Sequence, residues 1–227
     1  MTRILNVQSS PYLEKSASRS VSRAYIDSYV AAEPDTVVVD LDLVAKPPAH
    51  LGPDHMTGLF KPPPHSPESA AAREMSEAYL KQVFDADVIL VATPMHNFAI
   101  SSTVKAWIDY IVIAGRTFRI DEGGKTIGLL PSSKKLVIVV ASGGLYPAKG
   151  PVWAPDRATS SYIEDVFQFM GVTDVSIIRA EGQIMGSEMA KKRLADARAE
   201  AQALADRHST AGKVAAKSSS RRQSAPN

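Results

Sequence analysis

The sequence of 227 residues predicts a doubly wound α/β domain, in which a five-stranded parallel sheet of order 2-1-3-4-5 carries helices on both faces. Three observations lead to this prediction. Five short apolar segments alternate strictly with five segments of helical periodicity. Residues 88–93 and 136–141 are apolar almost throughout, which is typical of central parallel strands covered on both faces. The chain length suits one domain with a full core.

The five expected strands begin with residues 4–8 (ILNVQ) and 37–43 (VVVDLDL) and end with residues 175–179 (VSIIR). The two apolar runs at 88–93 and 136–141 are the third and fourth. Because crossover connections between parallel strands are right-handed, few arrangements remain. Two strand orders are common in doubly wound sheets, one of five strands and one of six. Because five strands are expected here, we predict the order 2-1-3-4-5.

A helix is expected in each interval between strands and after the last one, because apolar residues recur there every three or four positions. The stripes are Val21, Tyr25 and Tyr29; Met75, Tyr79 and Val83; Val104, Trp107, Ile108, Ile111 and Val112; Tyr162, Val166, Phe169 and Met170; and Leu194, Ala197, Ala201 and Leu204. Ser66 and Pro67 form a typical start, a capping residue followed by proline at the first helical position.

Two insertions interrupt the alternation. Residues 44–65 contain six prolines, so we expect neither a helix nor a central strand there and interpret the segment as a surface excursion, either a lid or a dimer contact. Residues 117–130 contain two short apolar runs on either side of Asp121-Glu122-Gly123-Gly124, which predicts a β-hairpin.

Composition excludes several classes of protein. The chain has no cysteine, so disulfides, thiol nucleophiles and cysteine metal sites are excluded. No run of about 18 apolar residues occurs, and we expect no membrane span. The N-terminal residues MTRILNVQSS enter a strand pattern at once and lack the features of a signal peptide, so a cytoplasmic location is the default expectation.

The net charge of +2 is unevenly distributed. The last twenty residues, 208–227, carry Lys213, Lys217, Arg221 and Arg222 and no acid, and without these four the 24 acidic residues outnumber the basic ones. We therefore expect a domain over residues 1–207 and a disordered basic tail over 208–227. A solubilising or untrimmed tail and a tail that binds nucleic acid or an acidic surface are the open interpretations, and for the protein as a whole we expect no nucleic-acid partner.

In a sheet of this order, ligands bind at the carboxyl ends of the strands near the reversal of strand order, between strands one and three. The loop after Gln8 offers the hydroxyls of Ser9, Ser10, Ser16 and Ser18 at the start of a helix, where phosphate binds well. It contains no glycine, so both GxGxxG and GxxxxGK[ST] are absent and a monophosphate fits better than a pyrophosphate. A serine-rich turn that only caps the helix would use the same residues.

The loop after Thr93 mixes polar and apolar residues in a way that suits a flat ring. Asn97 and the backbone could bond the edge of a ring, and Met95 and Phe98 supply apolar contact. Core packing is the alternative for Phe98. His96 is either a proton donor or a surface or structural residue.

The loop after the fourth strand reads Ala141-Ser142-Gly143-Gly144. Two glycines that follow a buried strand let the backbone approach a ligand closely. A plain turn without a ligand would explain the two glycines equally well. All three loops are expected at the carboxyl edge of the sheet, near the reversal of strand order. Their combination favours a ligand site there.

These residues resemble the FMN-dependent NADH azoreductases, also called FMN-dependent NADH:quinone oxidoreductases, of the flavodoxin-like superfamily. The motifs that carry the resemblance are S-S-x5-S-x-S at 9–18, P-M-H-N-F at 94–98 and S-G-G at 142–144, and the similarity spans residues 2–207. It implies a flavodoxin-like three-layer sandwich with tightly but non-covalently bound FMN. The residues implied to hold FMN are Ser10, Ser16, Ala17 and Ser18 at the phosphate, and Met95, His96, Asn97, Phe98, Ala141, Ser142, Gly143 and Gly144 around the ring.

The resemblance also implies a ping-pong reaction, in which NADH or NADPH reduces the flavin and a quinone or aromatic azo compound then receives two electrons. It implies a homodimer, no metal and no assigned acid–base residue. Three positions depart from the family: His96 stands where tyrosine is common, Ser142 where a larger residue is frequent, and Ile120 where the hairpin carries an aromatic. All three concern the acceptor pocket.

Two other classes of protein are alternatives to the oxidoreductase that the resemblance implies. A flavodoxin-type electron carrier would bind FMN without catalysis, but such carriers are usually strongly acidic and this domain is only slightly so. A flavin-free serine hydrolase would need a G-x-S-x-G elbow, which the sequence lacks.

Overall fold

A computed structural model describes residues 1–63, 65–146 and 159–223 of the chain. Its elements in chain order are β1 (Arg3–Gln8), α1 (Ala17–Ala32), β2 (Val37–Asp42), α2 (Pro53–Phe60), α3 (Pro67–Asp85), β3 (Val88–Pro94), α4 (Ser102–Ile111), β4 (Phe118–Ile120), β5 (Thr126–Gly128), β6 (Lys135–Ala141), α5 (Ser160–Phe169), β7 (Asp174–Ala180) and α6 (Ser187–Gln223). None of the helices in these described ranges is long and apolar enough to cross a bilayer.

The central sheet is parallel and has the order β2-β1-β3-β6-β7, which is the predicted order 2-1-3-4-5 when only its own strands are counted. The predicted fold class is therefore confirmed. Ile89 of β3 lies beside Leu5 of β1 and Leu136 of β6, and all three side chains are buried. This register places the continuous apolar strands in the middle of the sheet, where each of their faces needs a helix to cover it.

The two faces of the sheet form two cores. On one face Tyr25 of α1 and Leu204 of α6 pack with Leu90 and Val137 of the central strands. On the other face α3, α4 and α5 contribute a second cluster, with Trp107 and Phe167 fully buried. The helices on both faces make the three-layer sandwich that the alternating pattern predicted.

The predicted hairpin is present as the antiparallel pair β4 and β5. Its turn is closed by the Asp121 carboxylate, which accepts hydrogen bonds from the amides of Gly123 at 3.0 Å and Lys125 at 2.9 Å. The ring of Phe118 packs against Phe169 of α5 with centroids 4.7 Å apart, which fastens the hairpin to the second core.

The expectation that residues 44–65 contain no helix is wrong, because α2 occupies Pro53–Phe60. Pro53 takes the first helical position, where its missing N–H removes no intrahelical bond. The helix crosses α3 so closely that a Cβ on Gly58 would lie 2.0 Å from the carbonyl oxygen of Ser69. The prolines flank this helix or begin it, so none of them interrupts it.

At His208, where the basic tail is expected to begin, the chain is still helical. Helix α6 continues beyond this residue to Gln223, and residues 224–227 lie outside the described residues. His208 and Ser209 are buried, and His208 shares a hydrogen bond with Tyr25 of α1. The packing of α6 on α1 carries the helix past the point where the composition of the sequence turns polar.

Candidate functional site

The three loops expected to form the site lie side by side at the carboxyl edge of the sheet. The amide of Ser9 donates to the carbonyl of Ala92 at 3.2 Å, and the amide of Met95 donates to the carbonyl of Ala141 at 2.7 Å. The strands β1, β3 and β6 thus end in contact with one another. The structure brings the twelve residues proposed from the sequence onto this edge.

Residues 9–18, here called the serine loop, form a polar cradle at the start of α1. Ser10, Ser16 and Ser18 are each at least 96% buried. The Ser16 and Ser18 hydroxyls lie 3.2 Å apart, and Ser16 caps α1 by accepting from the amide of Arg19 at 3.2 Å. Ala17 opens the helix. Hydroxyls and amides at a helix N-terminus are a suitable donor set for a phosphate group.

Residues 96–99 form a tight turn that projects from the end of β3. His96 and Ala99 exchange two backbone hydrogen bonds at 2.8 and 3.0 Å, and Asn97 and Phe98 between them have φ of 47° and 68°. This is the geometry of a type I′ turn. A bulky residue such as Phe98 rarely adopts positive φ, and such strain is concentrated at functional sites.

The turn presents its side chains outward. His96, Asn97 and Phe98 are exposed, Phe98 by 47%, so this phenylalanine is not a core residue. Its ring lies edge-on to Tyr146 with centroids 6.2 Å apart. Met95, by contrast, is half-buried and packs against the core. One aromatic and one amide side chain therefore stand at the edge where a flat ring would dock.

Residues 141–144, here called the glycine loop, begin with the last residue of β6. Ser142 is buried and its hydroxyl donates to the carbonyl of Gly144 at 3.0 Å. A Cβ on Gly143 would lie 3.0 Å from the side chain of Ile184, and a Cβ on Gly144 would lie 3.1 Å from the ring of Tyr146. Glycine at both positions lets the loop pack closely against Ile184 and Tyr146 without a side chain of its own.

A fourth loop, residues 181–186 after β7, belongs to the same edge and was not among the predicted site residues. The amides of Gly182, Gln183 and Ile184 donate to the carbonyls of the glycine loop at 3.0, 3.0 and 3.2 Å. Ile184 itself is 84% exposed. The two glycines at 182 and 186, both with positive φ, were the sequence signal that could have pointed to this loop.

These residues fit a flavin mononucleotide. The serine loop offers neutral donors for one phosphate, the glycine loop permits close approach, and Phe98 and Ile184 supply exposed apolar surface for a ring. Across the described residues, no cluster of three or more His, Asp or Glu side chains is arranged to hold a metal ion.

Fold and site together define the class of protein. Residues 2–205 match the family described by a flavodoxin-like fold. The FMN-dependent NADH:quinone oxidoreductase of Herminiimonas arsenicoxydans is 42% identical over 196 residues, which are 86% of this chain and 94% of that protein. The FMN-dependent NADH:quinone oxidoreductase 2 of Trichormus variabilis is 39% identical over 208 residues, which are 91% of this chain and all of that protein. The chain belongs to the FMN-dependent NADH:quinone oxidoreductase family, within the flavodoxin-like group.

Solved structures agree with this relationship. An azoreductase from Bacillus anthracis strain Sterne superposes with a TM-score of 0.81 at 27% identity, covering 91% of this chain and all of that one. An FMN-dependent NADH-azoreductase from the Ames Ancestor strain, solved in complex with FMN, has a TM-score of 0.80 at 25% identity, with 92% and 100% coverage.

Proposed function

We propose that this protein is an FMN-dependent NADH:quinone oxidoreductase that also reduces aromatic azo compounds. The observation that carries the proposal is the convergence of the serine loop, the 96–99 turn and the glycine loop at one sheet edge, in a chain whose relatives bear these names. When bound, FMN supplies the redox chemistry by accepting a hydride from NADH and passing two electrons to the acceptor.

The protein's part is to bind, orient and exclude water. Ser10, Ser16, Ala17 and Ser18 hold the phosphate through hydroxyls and helix amides. Asn97 and the backbone of the glycine loop orient the ring by hydrogen bonds at its edge.

Apolar side chains complete the pocket. Phe98, Tyr146 and Ile184 lie around the glycine loop and would form apolar walls beside a bound ring. A planar nicotinamide or quinone can stack between such walls in turn, which is the requirement of a ping-pong reaction. His96, exposed on the same turn, is the candidate proton donor to a reduced acceptor, and a surface role for it is the alternative.

An absorbance and reduction experiment tests the function. Purified protein should show flavin bands, NADH should bleach them quickly, and a quinone or an azo dye should restore them at a rate proportional to its concentration. A flavodoxin-type carrier would bind FMN but react with NADH only slowly. Protein without flavin bands and without tight binding of added FMN would contradict the proposal.

We further propose a cytoplasmic homodimer. A largely apolar groove of about 330 Å³ lies between α4 and α5, lined by Ile108, Val112, Tyr162, Val166 and Phe169 together with Asp109 and Asp165. An exposed apolar groove of this kind suits the self-complementary face of a twofold dimer. Light scattering should give twice the chain mass, and Val166→Glu should shift it towards the monomer. Cell fractionation tests the location.

A further inference from the structure

The guanidinium of Arg19 uses all five of its N–H donors inside the protein. Nε and Nη2 donate to the carbonyl oxygen of Ser10 at 3.1 and 3.0 Å. Nη1 and Nη2 donate to the two carboxylate oxygens of Asp42 at 2.8 and 2.9 Å, and Nη1 also donates to the Gln8 side chain. A guanidinium has five such donors, so none remains for a ligand.

This network joins two strands to the serine loop. Arg19 is the third residue of α1, and Asp42 is the last residue of β2. Asp42 also accepts from the amide of Val44 at 2.9 Å, so its carboxylate is held from both sides. Hydrogen bonding to Arg19 lowers the pKa of Asp42, which keeps the ion pair formed at neutral pH.

The Arg19 side chain is only 15% exposed, and the paired geometry is bidentate. Bidentate arginine–carboxylate pairs define orientation as well as distance. The Ser10 carbonyl is therefore held at a defined position relative to the end of β2. The Ser10 hydroxyl in turn accepts a hydrogen bond from the amide of Tyr12. This bond ties the next part of the serine loop to Ser10.

We propose that Arg19 is a positioning residue for the cofactor phosphate, acting through the Ser10 carbonyl on the serine loop rather than by contact with the phosphate. The inference rests on the proposed FMN function. With Arg19 in place, the Ser10, Ser16 and Ser18 hydroxyls and the first amides of α1 are held ready before the ligand arrives. Preorganised donors of this kind bind more tightly than donors that must be ordered on binding.

A positioning role and a simple charge role predict different results for two variants. If Arg19 acted as a positive charge near the phosphate, Arg19→Lys would preserve FMN affinity, and Asp42→Asn would raise it by removing a negative charge. If Arg19 positions the loop, the single ammonium of lysine cannot reproduce the hydrogen bonds of the guanidinium to Ser10 and Asp42. Asp42→Asn likewise removes the ion pair with Arg19. Both variants should then lose FMN affinity.

The test is a titration of flavin-stripped full-length protein with FMN and with riboflavin, which has the same ring but no phosphate. Arg19→Lys and Asp42→Asn should each raise the dissociation constant for FMN about tenfold or more, since loss of a charge-assisted contact has about this effect. Riboflavin affinity should stay within about twofold of wild type. Arg23→Gln, an exposed arginine one turn further along α1, is the matched control and should leave both affinities unchanged.

Three outcomes would overturn the inference: an unchanged FMN affinity in Arg19→Lys, a raised FMN affinity in Asp42→Asn, or an equal loss of FMN and riboflavin affinity, which would indicate a general structural role. Wild-type protein that binds neither flavin would instead defeat the proposed function, and the inference with it. Titration of the wild-type protein therefore distinguishes failure of the proposed FMN-dependent function from failure of the positioning role of Arg19.

Discussion

The phenol oxygen of Tyr25 and Nδ1 of His208 lie 2.8 Å apart, and their hydrogen bond joins α1 to α6 across 183 positions of the chain. Both side chains are buried. Burial lowers the pKa of His208 from 6.5 to about 4; nearby Lys135 and Arg207 also lower it, while Asp174 acts in the opposite direction. Burial likewise raises the pKa of the Tyr25 phenol. His208 is therefore uncharged in the folded protein at neutral pH.

This pair predicts a pH dependence of stability. Between pH 6.5 and about 4 the unfolded chain protonates His208 and the folded chain does not, so the free energy of unfolding falls as pH drops through this window. Urea denaturation at a series of pH values should show a shallower fall for His208→Gln than for wild type. His50→Gln, at an exposed position, should keep the wild-type slope. Equal slopes for wild type and His208→Gln would contradict this assignment.

Lys134 should contribute to stability through the end of α3. Its side chain is 5% exposed, and Nζ donates to the carbonyl of Phe84 at 2.7 Å and to that of Ala86. A cation at a helix C-terminus is favourable, and Lys134→Met would leave two carbonyls unpaired. We expect a loss of about 2 kcal/mol in the free energy of unfolding. Lys125→Met on the exposed hairpin is the control, and equal effects would refute the capping role.

Gly58 should tolerate no side chain, because a Cβ there would lie 2.0 Å from the Ser69 carbonyl of α3. Gly58→Ala must push α2 away from α3, and we expect a destabilisation of about 1–3 kcal/mol. Gly123→Ala in the hairpin meets its nearest neighbour at 3.4 Å and should change stability by less than about 0.5 kcal/mol. Thermal unfolding of both variants measures the difference, and a Gly58→Ala protein as stable as wild type would show that the helices can separate freely.

Asn97 allows backbone and side-chain roles to be separated. Its φ of 47° suits glycine, so Asn97→Gly should preserve the 96–99 turn and the stability of the protein. The same variant removes the amide proposed to bond the flavin edge, and FMN affinity should fall about fivefold, the effect of one hydrogen bond. Asn97→Ala should lose stability as well, because alanine is strained at positive φ. Flavin fluorescence titration and urea denaturation check the two effects; wild-type FMN affinity in Asn97→Gly would exclude the side-chain contact.

Much of the fold could be predicted because local patterns and topology agree. The apolar runs at 88–93 and 136–141 are typical of covered central strands, and right-handed crossovers then leave few sheet orders. The serine loop and the glycine loop are predictable as site loops because ligands bind at the carboxyl edge where the strand order reverses. Proline content alone does not predict helix α2, because Pro53 stands at the first helical position, where a helix accepts proline.

The sequence by itself determined the alternation of strands and helices, the sheet order and the loops that meet at its edge, because periodicity and chain connectivity are properties of neighbouring residues. Tertiary structure decided the rest. Only packing on Tyr25 extends α6 through His208, and only the folded edge brings Arg19 to Asp42 and Ser10. These contacts join residues distant in the chain, and their geometry depends on how strands and helices pack, which local composition does not specify.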